Sequence, residues 1–369
     1  MRKALVRSPA MADVQPFRAV RYAGAAGALA DLVAPPYDTI SEDERARLFE
    51  RSPYNVAHLT LPDSVDEAGR LYRDWLADGV LEREAAASAW LLLEHFVGPD
   101  GVPRERRGVV ASVLAQPYGE GSVLPHERTH PHIREERVGL LRAMGAQPEP
   151  VFLLHENGRV PDAPQRAPDL SADGSRLWRV AADLTSFEGG ELLVADGHHR
   201  YESALELGRE LRPPGARIMA LLVSTADPGL HVFPTHRLFS GRPDLVSAVE
   251  GERCEGIDDA LARLATEPFD RATAVAYRPG DVRIVHGREG ELDVELVDRH
   301  GLEGIGYTPQ LDDAVAAVDR GDADLAFILR EPRVEDVFAG ARDGRLMPQK
   351  STYFFPKPLS GLLFHPLER

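Results

Sequence analysis

The stretch Leu192–Glu202, LLVADGHHRYE, begins with four apolar residues and then turns abruptly polar. A short apolar run stopped by a turn residue reads as a buried strand. Beyond it, Tyr201, Ala204, Leu205, Gly208 and Leu211 fall on one face of a helix that Pro213-Pro214 ends. Asp196-Gly197-His198-His199-Arg200 therefore sits where a strand becomes a helix. The first turn of a helix has unpaired N–H groups and the positive end of the dipole, so it attracts anions. Gly197 lets the backbone turn sharply or approach a ligand closely. Arg200 can fork onto two phosphate oxygens, and His198 and His199 can donate hydrogen bonds or shuttle protons. Asp196 repels a phosphate, which leaves it as a metal ligand, a base for a hydroxyl, or a brace for Arg200. The plainer alternative is an N-capping Asp196 in front of a solvated first turn. Capping accounts for the acid and the glycine, but not for paired histidines followed by arginine.

Working outward, Ser41 with Glu44 has capping-box spacing and starts a helix over 41–50. Asn55 to Leu61 reads as a strand. Ala68, Leu71, Tyr72, Trp75 and Leu76 mark a helix that Gly79 stops. AWLLLEHF and GVVASVLAQ read as two strands joined by turn-rich GPDGVPRERR. A helix, IREERVGLLRAMG, and a strand, EPVFLLHE, follow. Residues 159–176, rich in Pro, Asp, Ala and Ser, suit an exposed loop, and RIMALLVS is a further strand. Region 241–345 looks self-contained, with helices near Ile257–Leu264 and Leu311–Val318, a hairpin DVRIVHGREGELDVELV, a strand DLAFILR and a helix RVEDVFAGA. The tail LMPQKSTYFFPKPLSGLLFHP is irregular. Strands and helices mix without strict alternation, so an α+β fold is expected.

The 369 residues, 43% of them hydrophobic, suffice for a large core in roughly two domains. We divide them into a core over 1–240, an additional lobe over 241–345 and a tail over 346–369 that returns to the core. With 43 basic against 59 acidic residues the net charge is −16. No Lys/Arg-rich run offsets it, which disfavours nucleic acid and anionic membranes. A lone cysteine, Cys254, excludes an internal disulfide. The first residues lack the apolar segment of a secretion signal, and no apolar run approaches the roughly 20 residues of a membrane helix. A soluble cytoplasmic protein is the expectation.

ADGHHRYESAL, PPYDTIS, NVAHLTLP, HERT, PTHRL and MPQKSTYFFPK occur in this order from near Pro35 to the C-terminus. Together they resemble an uncharacterised bacterial and archaeal family, the domain of unknown function numbered 1015. That family looks related to the ParB/sulfiredoxin-like fold, whose members cradle nucleotide phosphates at a glycine turn followed by arginine. The resemblance implies a mixed-sheet core of that fold with an additional C-terminal α/β lobe, and a bound nucleotide. Activities in the fold include a free serine kinase, the CTP switch of ParB and the sulfiredoxin reaction. His198 stands where sulfiredoxin needs a cysteine, and no helix-turn-helix accompanies a ParB-like core, so phosphoryl transfer to a small hydroxyl compound remains.

Other constellations are weighed the same way. HERTH, His126 to His130, matches the zinc-protease spacing, but Pro125 and Pro131 flank it and no apolar helical stripe supports it. His126 and Glu127 fit better at a strand end facing the phosphate turn. There Glu127 would hold Mg²⁺ or take a substrate proton, and Thr129 would bond a phosphate oxygen. Arg134 and Arg137, one turn apart, could face the same anion or pair with neighbouring acids. PQKST lacks the glycines of a P-loop, leaving Lys350 as a phosphate ligand with the hydroxyls of Ser351 and Thr352. Tyr37, Asp38, Asn55, His126, His236 and Arg237 are the candidates for the substrate pocket. The expectation is thus a kinase of a small hydroxylated metabolite such as free serine, using ATP or ADP with Mg²⁺. In it Gly197, His198, His199 and Arg200 cradle phosphate, and Asp196 or Glu127 acts as base or metal ligand. The rival from another class is a non-catalytic nucleotide sensor. The oligomeric state is not legible in the sequence.

Overall fold

The computed structural model describes residues 11–181, 183–210 and 215–367. Leu211 and Pro213-Pro214, expected at the end of the helix after the motif, lie outside them, as do residues 1–10 of the segment read for a secretion signal.

The LLVAD run is a strand, Leu192–Asp196, within a nine-stranded mixed sheet. Across that sheet the order is Val123–Leu124, Leu192–Asp196, Val151–His155, Arg217–Ser224, Pro103–Leu114, Ala89–Val97, Ser175–Val180 and Leu170–Ala172. Val14–Gln15 also pairs with Pro103–Leu114. Two pairings are parallel, Leu192–Asp196 with Val123–Leu124 and Arg217–Ser224 with Val151–His155; the others are antiparallel. The central strands read as unbroken apolar runs because both faces of the sheet are covered. Phe152, Leu154, Leu193, Met219 and Leu221 point to a core closed by Val337, Phe338, Phe354 and Leu363. Their neighbours Val151, Leu153, Val194, Ile218 and Ala220 point to the opposite core, closed by Tyr201, Ala204 and Leu207 of the helix His198–Gly208.

The second sheet is six-stranded, in the order Glu252–Arg253, Arg283–Glu289, Arg271–Tyr277, Leu325–Leu329, His236–Phe239 and Ile305–Thr308. All its pairings are antiparallel, so this lobe is α+β rather than α/β. Its membership begins at His236, before the division drawn at 240. The helix Val334–Arg342, within the 241–345 region, packs on the core of the first sheet. The tail, expected to be irregular, is built in: Tyr353–Phe355 pairs with His231–Phe233, and His365–Pro366 pairs with Ala146–Gln147.

Three other local readings change. Asn55–Leu61 is not a strand. The Asn55 side-chain Oδ1 accepts the Ala57 N–H at 2.9 Å, and this Asx turn starts the helix Ala57–Thr60. The expected hairpin 281–297 keeps only its first strand. DVELVD forms the helix Asp293–Asp298, its start fixed by the Leu292 N–H donating to Glu295 at 2.9 Å, and Arg283–Glu289 pairs with Arg271–Tyr277 instead. The loop over 159–176 ends in a strand pair, Leu170–Ala172 with Ser175–Val180. The helices Glu42–Arg51, Val65–Ala77 and Pro131–Met144 form where their spacing predicts. Ser41 caps the first of these by accepting the Glu44 N–H at 3.3 Å.

Candidate functional site

The strand Leu192–Asp196 carries a bulge between Val194 and Asp196 opposite Val151–His155. Bulges bend a strand and re-aim side chains, and this one turns Ala195 and Asp196 toward a cleft. Gly197 follows at φ 92°, a left-handed conformation that costs glycine little. The first intrahelical bond is Tyr201 N–H to the Gly197 carbonyl at 2.9 Å, so the N–H groups of His198, His199 and Arg200 have no carbonyl of their own helix to bond. The Tyr201 hydroxyl donates to the Gln116 carbonyl at 2.7 Å and pins this helix to the sheet.

A cleft of ≈ 360 Å³ opens over this turn. It gathers Tyr37, Asp38, Glu127, Asp196, Gly197, His198, His199, Arg200, Lys350 and Thr352 from the sequence-derived set. It also takes in Lys357, Tyr353, Gln349, Thr235 and Tyr307, which the sequence reading passed over, and His130, weighed there only as the second histidine of HERTH.

Asp196 resolves into the brace. Its Oδ2 pairs with Arg200 and its Oδ1 lies 3.1 Å from Lys357 Nζ, which also reaches Asp38 Oδ2 at 2.6 Å. Burial would raise the Asp196 carboxyl, but Lys357 and Arg200 outweigh it and hold it well below the carboxylate range. Burial likewise opposes the Lys357 charge, and Asp196 and Asp38 reverse that and raise its pKa. Arg200 also donates to the Pro150 carbonyl. Its guanidinium borders the cleft with two of its nitrogens committed, so it is not the open fork that the sequence suggested.

The two histidines are acceptors, each held by a main-chain N–H. His198 Nε2 accepts from His126 N–H at 3.4 Å, and His199 Nε2 from His130 N–H at 2.9 Å. Burial first, then the nearby His126, keeps His198 neutral; burial also lowers His199. Glu127 is the opposite case. Burial pushes its carboxyl up to about 7 against the pull of Lys350, with Asp196 adding to the rise.

Several expected site residues serve as scaffold. HERTH is not helical: the helix begins at Pro131, after His130. His126 is 1% exposed. Its Nδ1–H donates to the Val194 carbonyl at 2.7 Å, which leaves Nε2 to accept from the Thr352 hydroxyl at 2.9 Å. Thr129 donates to Glu202 at 2.6 Å rather than facing the cleft. Arg137 donates to the Thr60 carbonyl at 2.8 Å and lies 4.0 Å from the Tyr37 ring centroid, so it backs Tyr37 instead of holding an anion. Asn55 is fully buried, bonded through Nδ2 to the carbonyls of Asp31 and Val33, and has no surface left for a substrate. Ser351 is buried and donates to the Pro348 carbonyl. His236 is buried with Nδ1 accepting from Leu329 N–H at 3.2 Å. Arg237, 0% exposed, donates to the carbonyls of Thr235 and, at 2.8 Å, of Lys350. Apart from Thr129, these residues are spent on main-chain groups that would otherwise be buried without partners.

The family of proteins of unknown function designated DUF1015 matches this chain over residues 14–270. The chain belongs to the DUF1015 family. The DUF1015 chain is 25% identical over 189 residues to the ADP-dependent L-serine kinase SerK of Thermococcus kodakarensis, covering 49% of this chain and 75% of that one. Among solved structures, a free serine kinase in complex with AMP is 17% identical with a TM-score of 0.41, over 63% of this chain and 83% of the other. SbnI of Staphylococcus aureus with a C-terminal truncation is 13% identical with a TM-score of 0.40, over 65% and 82%.

No helix among the described residues is long and apolar enough to cross a membrane. Among them there is also no group of three or more His, Cys, Asp or Glu side chains that would hold a metal unaided. Mg²⁺ arriving with a nucleotide needs only one or two carboxylates from the protein, since phosphates and water supply the rest. Glu127, with Asp196 on the same wall, fits that need in kind. Both Asp196 oxygens already face cations, which makes Glu127 the better of the two.

Proposed function

We propose that this chain is a nucleotide-dependent phosphotransferase acting on a small hydroxylated metabolite, with ADP as donor and a hydroxylated amino acid, free serine first, as acceptor. The observation that carries the reading is one cleft that joins an anion-attracting helix start at Gly197–Arg200, two lysines, and a carboxyl held near neutrality at Glu127. The name of the SerK relative supports the choice of ADP and of serine. The motif resemblance supports reading the nine-stranded core as ParB/sulfiredoxin-like.

In this reading the nucleotide phosphates lie on the N–H groups of the helix start, with Lys350 and Lys357 neutralising their charge. The acceptor hydroxyl oxygen bonds to the terminal phosphorus and the bridging P–O bond breaks. Its proton passes to Glu127, and AMP leaves when ADP is the donor. Phosphoryl transfer asks mainly for positioning and charge neutralisation, which these residues provide in kind. Mg²⁺ bound to the phosphates would add to that neutralisation through phosphate and water ligands, which leaves Glu127 free to act as the base.

The test incubates purified protein with ADP or ATP, Mg²⁺ and hydroxylated metabolites, and reads phosphorylated product and AMP or ADP by mass spectrometry. Product that disappears in Arg200→Ala and Asp196→Asn is the expected result. Nucleotide binding with no product favours the sensor, and no binding of any nucleotide overturns both.

A further inference from the structure

One wall of the cleft comes from the second sheet. Tyr307 lies on Ile305–Thr308, an edge strand that pairs only with His236–Phe239 in that sheet, and it lines the cleft together with Thr235 and Pro309. Tyr307 and Pro309 fall beyond residue 270, outside the segment that matches the family. Tyr307 is 38% exposed. The guanidinium of the buried Arg237 lies 5.1 Å from its ring centroid. The same guanidinium donates to the carbonyls of Thr235 and Lys350, and its Nε lies 3.4 Å from Asp298. Lys350 is one of two described non-glycine residues with positive φ, at 56°. Non-glycine residues seldom adopt this conformation, and where they do it tends to be held by surrounding contacts near functional sites. Arg237 thus fixes both the Lys350 backbone and the Tyr307 ring.

Tyr37, Asp38 and Lys357 line the cleft beside Arg200 and Asp196. Lys350, Tyr307 and Thr235 line it too, tied to one another through Arg237. Glu127 adjoins Lys350: it is bridged to Met347, three residues before Lys350, and Lys350 acts on it more than Lys357 does. A base must lie beside the hydroxyl it deprotonates, so the acceptor sits beside Glu127. One face of Tyr307 is already covered by a guanidinium, which disfavours a second cation there, while the phenol O–H and the Lys350 ammonium are both donors.

Resting on the phosphotransferase reading, we infer that Tyr307 is the acceptor-specificity residue of this cleft. Its hydroxyl, with Lys350, receives a carboxylate of the hydroxylated acceptor and presents the acceptor's hydroxyl to Glu127. The acceptor is then a hydroxy acid or hydroxyamino acid rather than a neutral polyol or amino alcohol.

The test compares wild type with Tyr307→Phe, which keeps the ring on Arg237 and removes only the hydroxyl. Acceptors are L-serine and glycerate against their carboxylate-free counterparts ethanolamine and glycerol, with ADP as donor. The expected result is an acceptor KM raised about tenfold for the carboxylates, the loss of one charge-assisted hydrogen bond. The nucleotide KM and melting temperature stay unchanged, and the carboxylate-free compounds serve both proteins alike. Equal KM values in the two proteins, or a fall in kcat that tracks a lower melting temperature, overturn the inference. Wild type that phosphorylates nothing sinks the kinase reading alone. In that case calorimetric titration of L-serine or glycerate into AMP-saturated protein decides: binding weakened by Tyr307→Phe sustains the acceptor site, and binding that ignores the substitution, or is absent, removes it.

Discussion

Lys357 Nζ lies 3.1 Å from Asp196 Oδ1, so a lysine from the C-terminal tail neutralises the acid that opens the helix motif. Asp196 therefore works by ordering cations around the turn, and the tail is part of the cleft rather than an appendage to it.

Lys357→Met removes one cation from a partly buried cluster and leaves the exposed Asp38 and the half-buried Asp196 with only Arg200 to compensate. Unfolding in urea at pH 7 is expected to show a loss of about 1–2 kcal/mol, below the range for a fully buried pair because Asp38 is open to solvent and Arg200 remains. Asp196 is held below its unfolded value, so its contribution is complete above about pH 4 and fades as pH falls toward the folded value. The gap between variant and wild type should close below that pH.

Glu127, raised to about 7 by burial and opposed by Lys350 and Lys357, must be ionised to accept a proton. Product formation should rise with pH through about 7, and Glu127→Gln should lose about 10²–10⁴-fold in kcat. Stability runs the other way: the folded state holds this proton longer than the unfolded chain does, so the protein loses stability as pH rises from about 4.5 to about 7. Melting curves of Glu127→Gln should lack that component and exceed wild type at pH 8.

His126, His236 and His365 are each lowered to about 4 by burial. Between about 4 and 6.5 the unfolded chain binds protons that the folded state excludes, so stability falls as pH drops through that window. Near pH 5 the three together should take up close to three protons on unfolding, on the order of 4 kcal/mol per pH unit, far more than Glu127 returns. Urea midpoints at pH 7, 6 and 5 measure the slope. His365→Gln should reduce it by about a third.

Gly197→Ala places a Cβ 3.0 Å from Arg200 Nε at a backbone φ of 92°. The left-handed conformation alone costs about 1–2 kcal/mol. The displaced guanidinium should weaken its grip on Asp196 and lower nucleotide affinity about tenfold. A shifted melting temperature with unchanged binding would contradict the role given to this turn.

Some of the site was legible because its signals are local. An apolar run, a glycine and a helical stripe are enough to place Asp196 to Arg200 at a strand-to-helix turn, and the structure puts them there. Lys357 was not legible. It sits in a proline- and aromatic-rich tail with no periodicity, and its value depends on Asp38 and Asp196 being across from it. Asn55 misled for the reverse reason: its polar group looked available but is consumed by the carbonyls of Asp31 and Val33. Tyr307 gave no signal either, since nothing local marks an edge-strand tyrosine as a cleft wall.

The sequence by itself determined the α+β mixture, the buried strand that ends at Asp196 and the glycine turn from which the next helix starts. Apolar period, turn chemistry and helix-end dipoles act over a few neighbouring residues. Only the tertiary structure decided which polar side chains face the cleft and which are spent inside the protein. That depends on which main-chain groups distant segments leave unpaired, and on the charges that packing brings within a few ångströms of one another.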